Sequence, residues 1–330
     1  MRYMFELSGE HPELPIWEAE ALLRCQTKVK LIERDSLVAI LSSDAKATDF
    51  QNRISLSHFL DEHLASTNFE DLEEELGKFD FSEYESASIR VKVTESRRKE
   101  IDANALMKRL GAILAKKTKI RLDNPQLRLR VYVGSRAHIG KQIAEIDRSQ
   151  YEKRKNRLLP FTSPVSIHPR IARALINLTA ESSRCRILDP FCGTGTFLIE
   201  ASMMGMDVFG SDLSKKMIAG SKRNLEHLKL SAKLDQRDVG DISISKENFD
   251  CIVTDPPYGR SSTTNREPIS DLYSRAMKSF SGALRNGGRV GMIVPDIALL
   301  DYRDYFRLAK RASIRVHRSL VRNFVIFEKK

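Results

Sequence analysis

The feature that most constrains this chain is a run of alternating strands and helices that begins near Phe161. Arg186-Ile-Leu-Asp189, Asp207-Val-Phe-Gly-Ser-Asp212, Phe249-Asp-Cys-Ile-Val-Thr-Asp255 and Arg289-Val-Gly-Met-Ile-Val-Pro295 each read as a strand, with helical stretches between them. That order argues for a doubly wound α/β sheet, whose ligands sit at the carboxyl ends of strands. The first of these strands runs into Asp189-Pro-Phe-Cys-Gly-Thr-Gly-Thr196, and a helix is predicted from Phe197 to Met204. Strand, glycine turn and helix together make a holder for a nucleotide-like ligand. Gly193 and Gly195 let the backbone approach that ligand and adopt conformations a Cβ would forbid.

The details of the turn narrow the ligand. A dinucleotide fingerprint wants a third glycine where this chain has Leu198, and a phosphate-binding P-loop wants a Gly-Lys-Ser/Thr that is absent. Asp189, just before the glycines, suits a ligand with a positive amino group and a sulfonium. Asp212 ends the next strand and can accept hydrogen bonds from both hydroxyls of a ribose. Asp238 follows Gln236-Arg237 and can accept from an adenine amino group, with Asp241 as the fallback. Each aspartate alone is weak evidence, because acids are common at strand ends. Their order and spacing point to S-adenosylmethionine.

The chemistry is carried by Asp255-Pro-Pro-Tyr-Gly259, which closes the predicted strand that starts at Phe249. Two prolines there are not chosen for stability, since proline cannot donate to a ladder and restrains the residue before it. The Asp255 carboxylate and the Pro256 carbonyl can each accept one N–H of a planar amine, which aims the nitrogen lone pair at a methyl donor. Tyr258 can stack on the base. Orientation of this kind supplies on the order of 7–11 kcal/mol of a barrier. A base in a duplex would first be flipped out, at about a few kcal/mol. The bland alternative is a surface turn.

The DPFCGTG and DPPYG segments, with Gly-Ser-Asp212 between them, resemble those of the tRNA guanine-N2 methyltransferases that carry a THUMP domain. Phe161-Thr-Ser-Pro164, His168-Pro-Arg-Ile-Ala-Arg-Ala-Leu-Ile-Asn-Leu178, Gly140 to Ser149, Asp271-Leu-Tyr-Ser-Arg275 and Val316-His-Arg-Ser-Leu320 resemble further segments of that family. The similarity is greatest to the archaeal enzymes that modify guanine at tRNA position 10. It is specific over about 135–330 and looser before that. It implies a Rossmann-like S-adenosylmethionine-dependent methyltransferase domain over 161–330, after a linker at 147–160. Preceding these it implies an α+β ferredoxin-like domain at 1–60 and a THUMP domain at 61–146, which holds the acceptor end of tRNA. It also implies that Asp189, Phe191, Gly193, Gly195, Thr196, Asp212 and Asp238 carry the cofactor, and that Asp255, Pro256 and Tyr258 hold the target amine. Relatives often have Gly-Asp-Ala where this chain has Arg237-Asp-Val239. Some relatives need a small activating subunit; this chain is read as a monomer.

The earlier residues are read from their own pattern. Residues 1–8 form a strand, Leu14 to Leu23 a helix with Trp17 as a core anchor, and Val29 to Ile32 and Leu37 to Leu41 two β-rich runs. Asp44 is the expected N-cap of a helix reaching about Leu60. Ser88 to Val93 alternates as a strand, Ala103 to Leu114 is helical, and Asn124-Pro125 turns the chain. In Gln126-Leu-Arg-Leu-Arg-Val-Tyr-Val133 apolar and basic residues alternate, which sends Arg128 and Arg130 outward. Lys153, Arg154, Lys155 and Arg157 lie in a basic linker or exposed helix, free for RNA backbone or merely solvated. Arg260 and Arg266 fall in a polar loop that either contacts substrate or is bare surface.

Charge fits a modular chain. The net formal charge is −9 over residues 1–80, +11 over 81–160 and +9 over 161–330. A basic middle can steer a polyanion. Cys25, Cys185, Cys192 and Cys251 form no CxxC pair and have no histidine cluster beside them, so no metal is expected and a reduced compartment is. No signal peptide or membrane span is expected, and the protein reads as cytoplasmic. The rivals are a DNA or rRNA amino-methyltransferase, or an RNA-binding module without catalysis. No DNA-reading motif is visible, and the catalytic and glycine positions are intact.

Overall fold

A computed structural model describes residues 1–164, 166–182, 184–245, 248–259, 267–317 and 320–330. The polar loop containing Arg260 and Arg266 lies outside them. The chain divides into two compact units, Met1–Asp147 and Arg148–Lys330.

The first unit is an α+β structure. Its elements are β1 (Arg2–Leu7), α1 (Leu14–Arg24), β2 (Val29–Asp35), β3 (Val38–Ser43), β4 (Ser57–Thr67), α2 (Leu72–Lys78), β5 (Ser86–Val93), α3 (Ala103–Leu114), β6 (Lys119–Ile120), β7 (Leu127–Val133) and β8 (Ala137–Glu145). They build one sheet in the order β2-β3-β1-β4-β8-β7-β5-β6. On one face α1 covers a cluster that includes Tyr3, Phe5, Leu41 and Leu60, with Trp17 packed beside it. On the same sheet α2 and α3 cover Ile89, Leu127, Leu129 and Val131. The Ala103–Leu114 helix is capped as its sequence suggests, the Asp102 carboxylate accepting from Asn104 N and Ala105 N.

Two expectations fail here. No helix runs from Asp44 to Leu60; short 3-10 turns at Ala47–Asp49 and Gln51–Arg53 lead into β4. Arg53 to Ser57 are all buried, with no exposed face of the kind a surface helix keeps. The Glu18 carboxylate also accepts from Ser55 N (3.2 Å) and Leu56 N (2.7 Å), so these amides are held from outside rather than by a helix. β4 spans positions 60 and 61, and pairs with β1 on one side and β8 on the other.

Arg130 does not face outward. Arg128 is exposed, but Arg130 is buried. Its guanidinium bonds Glu6 and Tyr132, lies 3.6 Å from Asp61, and stacks 3.3 Å over the Phe59 ring. Adjacent strands are ~4.8 Å apart, and two strands separate β1 from β7. Side chains on β1 and β7 meet only because the sheet curls around this second face. The β2–β3 corner closes the curl, with Asp35 accepting from Ser135 N (3.2 Å) and Arg136 N (3.0 Å).

The second unit carries α4 (Ser149–Glu152), α5 (Pro169–Thr179), β9 (Arg186–Asp189), α6 (Thr196–Met203), β10 (Asp207–Asp212), α7 (Lys215–His227), β11 (Lys233–Gln236), β12 (Phe249–Thr254), α8 (Ile269–Ala283), β13 (Leu284–Val294), β14 (Phe306–His317) and β15 (Leu320–Lys329). The sheet order is β11-β10-β9-β12-β13-β15-β14. The first five strands are parallel, and β15 and β14 add antiparallel. This is the Rossmann-like architecture the motifs imply. Among the described residues no helix is long and apolar enough to cross a membrane.

The basic stretch after Asp147 differs from expectation. Tyr151, Arg154 and Asn156 are buried. Arg154 and Arg173 both pair with the fully buried Glu200 of α6, at 2.5 and 2.8 Å, and Arg154 lies 4.4 Å from the Tyr151 ring centre. A charged sequence thus became interior, because one carboxylate inside the unit needs two cations. Lys155 is paired with Glu152. Arg154 is therefore closed to RNA, although its charge suggested otherwise.

Candidate active site

The chain order reverses at β9, with β10 on one side and β12 on the other. The crevice at such a switch point is where open α/β sheets bind ligands. Three aspartates converge there: Asp189 ends β9, Asp212 ends β10, and Asp255 follows β12.

The glycine turn is built for contact. Gly193 and Gly195 have φ of +51° and +87°, a region that costs other residues strain. A Cβ at Gly193 would meet only the Phe191 carbonyl at 3.9 Å, so its outer side is open to a ligand. Gly195 caps α6, whose first residue is Thr196. The turn is pinned by Cys192 N to Ser211 O (2.9 Å) and Gly193 N to the Asp212 carboxylate (3.0 Å). Asp212 also accepts from Ser214 N (2.8 Å). Phe191 packs against the core while staying partly accessible.

Asp189 is 3 % exposed. It accepts from the Thr254 hydroxyl (2.7 Å) and Phe191 N (3.2 Å). Burial raises its pKa to about 7; those two bonds oppose the rise, and the carboxylates of Asp212 and Asp255 add to it. Burial likewise raises Asp212, against the pull of Ser214 N and Gly193 N. Two acids pushed toward neutrality beside an open glycine turn fit a cationic ligand. S-adenosylmethionine has that charge, and a ribose for Asp212.

Asp238 sits beside this group, tied in by Arg237 N to Asp212 O (3.2 Å). Its carboxylate takes Arg275 at 2.5 and 3.5 Å and Gly240 N at 2.8 Å, and the Arg275 bond holds its pKa low. Arg275 also reaches Glu267 (2.8 Å). Asp241 is exposed on the next turn, its amide bonded to the Asp238 carbonyl (3.1 Å).

Asp255 and Tyr258 form one unit. The Tyr258 hydroxyl donates to Asp255 Oδ1 at 2.7 Å, which fixes both side chains. Burial lifts Asp255 to about 6, with the Tyr258 bond and the Arg322 charge pulling down. Its carboxylate is therefore mostly ionised at neutral pH. Pro256 is buried, and Gly259 turns the chain out at φ +79°.

Sequence reasoning missed several supports. Tyr273 of α8 is buried and donates to the Pro257 carbonyl (2.9 Å), propping the turn from below. It lies in the Asp271–Arg275 run, so its signal was present without a role. Thr254 reads in sequence only as part of a strand. Asn224 of α7 accepts from Phe161 N (2.9 Å) and donates to Phe161 O and Thr194 O (2.9 Å each). It clamps the Phe161–Pro164 segment to the glycine turn, and nothing in its surroundings in sequence marks it.

Comparison with known proteins agrees with this geometry. Residues 156–323 match the family model described as RMKL-like, methyltransferase domain, and residues 66–139 match the THUMP domain model. The tRNA (guanine(10)-N2)-dimethyltransferase of Methanothermobacter thermautotrophicus is 32 % identical over all of both chains. The protein of the same name from Pyrococcus abyssi is 33 % identical over 99 % of each. The crystal structure of TrmN from Thermus thermophilus superposes with a TM-score of 0.56 at 22 % identity, over 100 % of both chains. A putative methyltransferase, SMU.472, solved with S-adenosylhomocysteine, gives 0.53 at 14 % over 100 % and 98 %.

Proposed function

We propose, from the premise that this chain belongs to the family of RMKL-like methyltransferases carrying a THUMP domain, that it methylates the exocyclic N2 of guanosine in tRNA. The bonded Asp255–Tyr258 pair, set beside Asp189 at the switch point, carries this reading. We assign position 10 and two successive methyl transfers on the strength of the relatives' names. Residues 61–146 hold the tRNA after a leading domain at 1–60, and 161–330 carry the chemistry. The chain acts in the cytoplasm as a monomer.

S-adenosylmethionine, the cofactor of this family, supplies an electrophilic methyl on a sulfonium. Asp189, Phe191, Gly193, Gly195, Thr196, Asp212 and Asp238 hold it. The chain's own residues do the rest by orientation. The ionised Asp255 carboxylate and the Pro256 carbonyl accept the two N–H bonds of the amine, which leaves the nitrogen lone pair directed away from them. Tyr258, anchored through its hydroxyl, offers its ring to the base. With a pKa near 6, Asp255 is also suited to take the proton that the nitrogen loses on methylation.

The test is direct. Purified chain is incubated with methyl-labelled S-adenosylmethionine and an unmodified tRNA transcript, which is then digested to nucleosides. Labelled N2-methylguanosine and N2,N2-dimethylguanosine, lost when the position-10 guanine is replaced, are expected. Label that survives the replacement moves the position. Label only in DNA adenine or cytosine overturns the RNA reading. Label that appears only after addition of a cell extract would show that a small activating subunit is needed.

A further inference from the structure

We infer that Arg322 is a base-selecting residue: its guanidinium donates to O6 of the guanine whose N2 amine rests on Asp255. This rests on the reading above and names what enforces its choice of base.

Asn323 pairs with Val294, the last residue of β13. Its side chain donates to the carbonyls of Val294 (3.3 Å) and Pro295 (2.7 Å) and accepts from Ser313 Oγ (2.8 Å). It is 4 % exposed. Asn323 therefore bolts β15 to the carboxyl edge of the parallel strands, and Arg322 lies one residue beyond that bolt. β13 separates β15 from β12, so Arg322 stands across one strand from the Asp255 turn, within the reach of a long side chain.

The Arg322 charge acts on both Asp255 and Tyr258, yet Arg322 makes no ion pair with Asp255 among the described residues. Its Nε is buried with no hydrogen-bond partner there. Buried polar groups are nearly always bonded, and an orphaned donor costs free energy. A guanidinium held near a carboxylate but not on it, with a buried donor unused, is arranged for an acceptor that enters between them.

The chemistry of the base identifies the acceptor. Along its pairing edge guanine presents the N2 amine, then N1–H, then the O6 carbonyl. Adenine, with its own amine placed on Asp255, presents N1 and then C2–H at the corresponding position. A donor aimed there bonds guanine and finds no acceptor on adenine. Arginine is the side chain most used to read guanine through its acceptors.

2-Aminopurine keeps the amine at C2 and lacks both O6 and the N1 proton, so it is the change in the guanine preference on replacing Arg322, not the preference itself, that isolates this contact. Full-length protein is assayed on tRNA carrying either guanine or 2-aminopurine at the target position, under single-turnover conditions. The wild type should favour guanine by roughly 10- to 100-fold in kcat/KM. Arg322→Met and, as a milder change should that variant fold poorly, Arg322→Lys should lower the rate on guanine and leave 2-aminopurine nearly unchanged, collapsing the ratio. Equal losses on both bases, with a weakened salt dependence, would mean that Arg322 binds a phosphate, and the inference fails. A drop in thermal stability with the ratio intact would mean a structural role, and it fails equally. If wild type transfers no methyl to guanine, the functional reading itself fails; transfer with an unmoved ratio sinks the role of Arg322 alone.

Discussion

Two buried carboxylate clusters of this chain, one around Asp61 in the first unit and one around Asp189 in the second, are treated in opposite ways. In the first unit Glu6 meets Arg130 and Lys92, and Asp61 lies against Arg130. Asp61 is pushed to about 7 by burial, with Arg130 pulling down and Glu6 pushing up. In the second unit Asp189 is buried as deeply, but what surrounds it is two hydrogen-bond donors and two further carboxylates. One cluster is closed by cations of the chain itself. The other shows no cation bonded to Asp189 among the described residues, which suits the proposed cationic cofactor. Depth and sign of charge are alike, and only the partner separates a structural cluster from a binding site.

The largest expected effect follows from the catalytic side. Asp255→Asn keeps the volume and the Tyr258 contact but removes the charge that faces the amine. Single-turnover methyl transfer should fall by roughly 10²- to 10⁴-fold, with no loss of thermal stability; full activity in a folded variant would remove Asp255 from the mechanism. In wild type the same rate should decline as pH drops through about 6, where Asp255 gains its proton.

Next comes the structural cluster. Arg130→Met strips Asp61 of its cation and leaves Glu6 with Lys92 alone, and should cost about 3–5 kcal/mol in urea unfolding. Methyl transfer per folded molecule should persist. A variant as stable as wild type would erase the distinction between the two clusters.

Asp189→Asn should do the reverse. Its amide oxygen can still accept from Thr254 and Phe191 N, while a buried acid disappears. Cofactor affinity, read by titration calorimetry, should fall by roughly 10- to 100-fold. The sign of the stability effect follows from the raised pKa. A carboxyl of pKa about 7 in the fold and about 4 unfolded holds its proton longer when folded, so stability declines as pH rises from about 4 to 7 and then levels. The melting temperature of the variant relative to wild type should therefore climb over that window. A flat difference would show that Asp189 titrates normally.

The smallest effect is at Tyr273. Its replacement by Phe leaves the Pro257 carbonyl without its donor and should reduce kcat/KM by about 1 kcal/mol. A loss matching that of Asp255→Asn would give Tyr273 a direct role.

How much of this was legible depends on the range of each interaction. The parallel strands and the aspartates at their ends could be read because a buried strand, a glycine turn and the following helix are set by neighbouring residues. The helix boundaries of α3 came from the same local signals. The segment from Asp44 to Leu60 misled because a helix start was read from one capping residue. The contact that holds it extended comes from Glu18, more than thirty residues earlier.

The sequence by itself determined the class of fold, the glycine turn and the Asp-Pro-Pro-Tyr turn, since each depends on backbone limits that a few adjacent residues impose. Tertiary structure alone decided that Arg130 and Arg154 are interior cations, that Tyr273 and Asn224 brace the two turns, and that the charge of Arg322 bears on Asp255. Those outcomes turn on which charges and donors meet after the sheets form. A charged residue reads the same in sequence whether its partner is water, a buried carboxylate or a substrate.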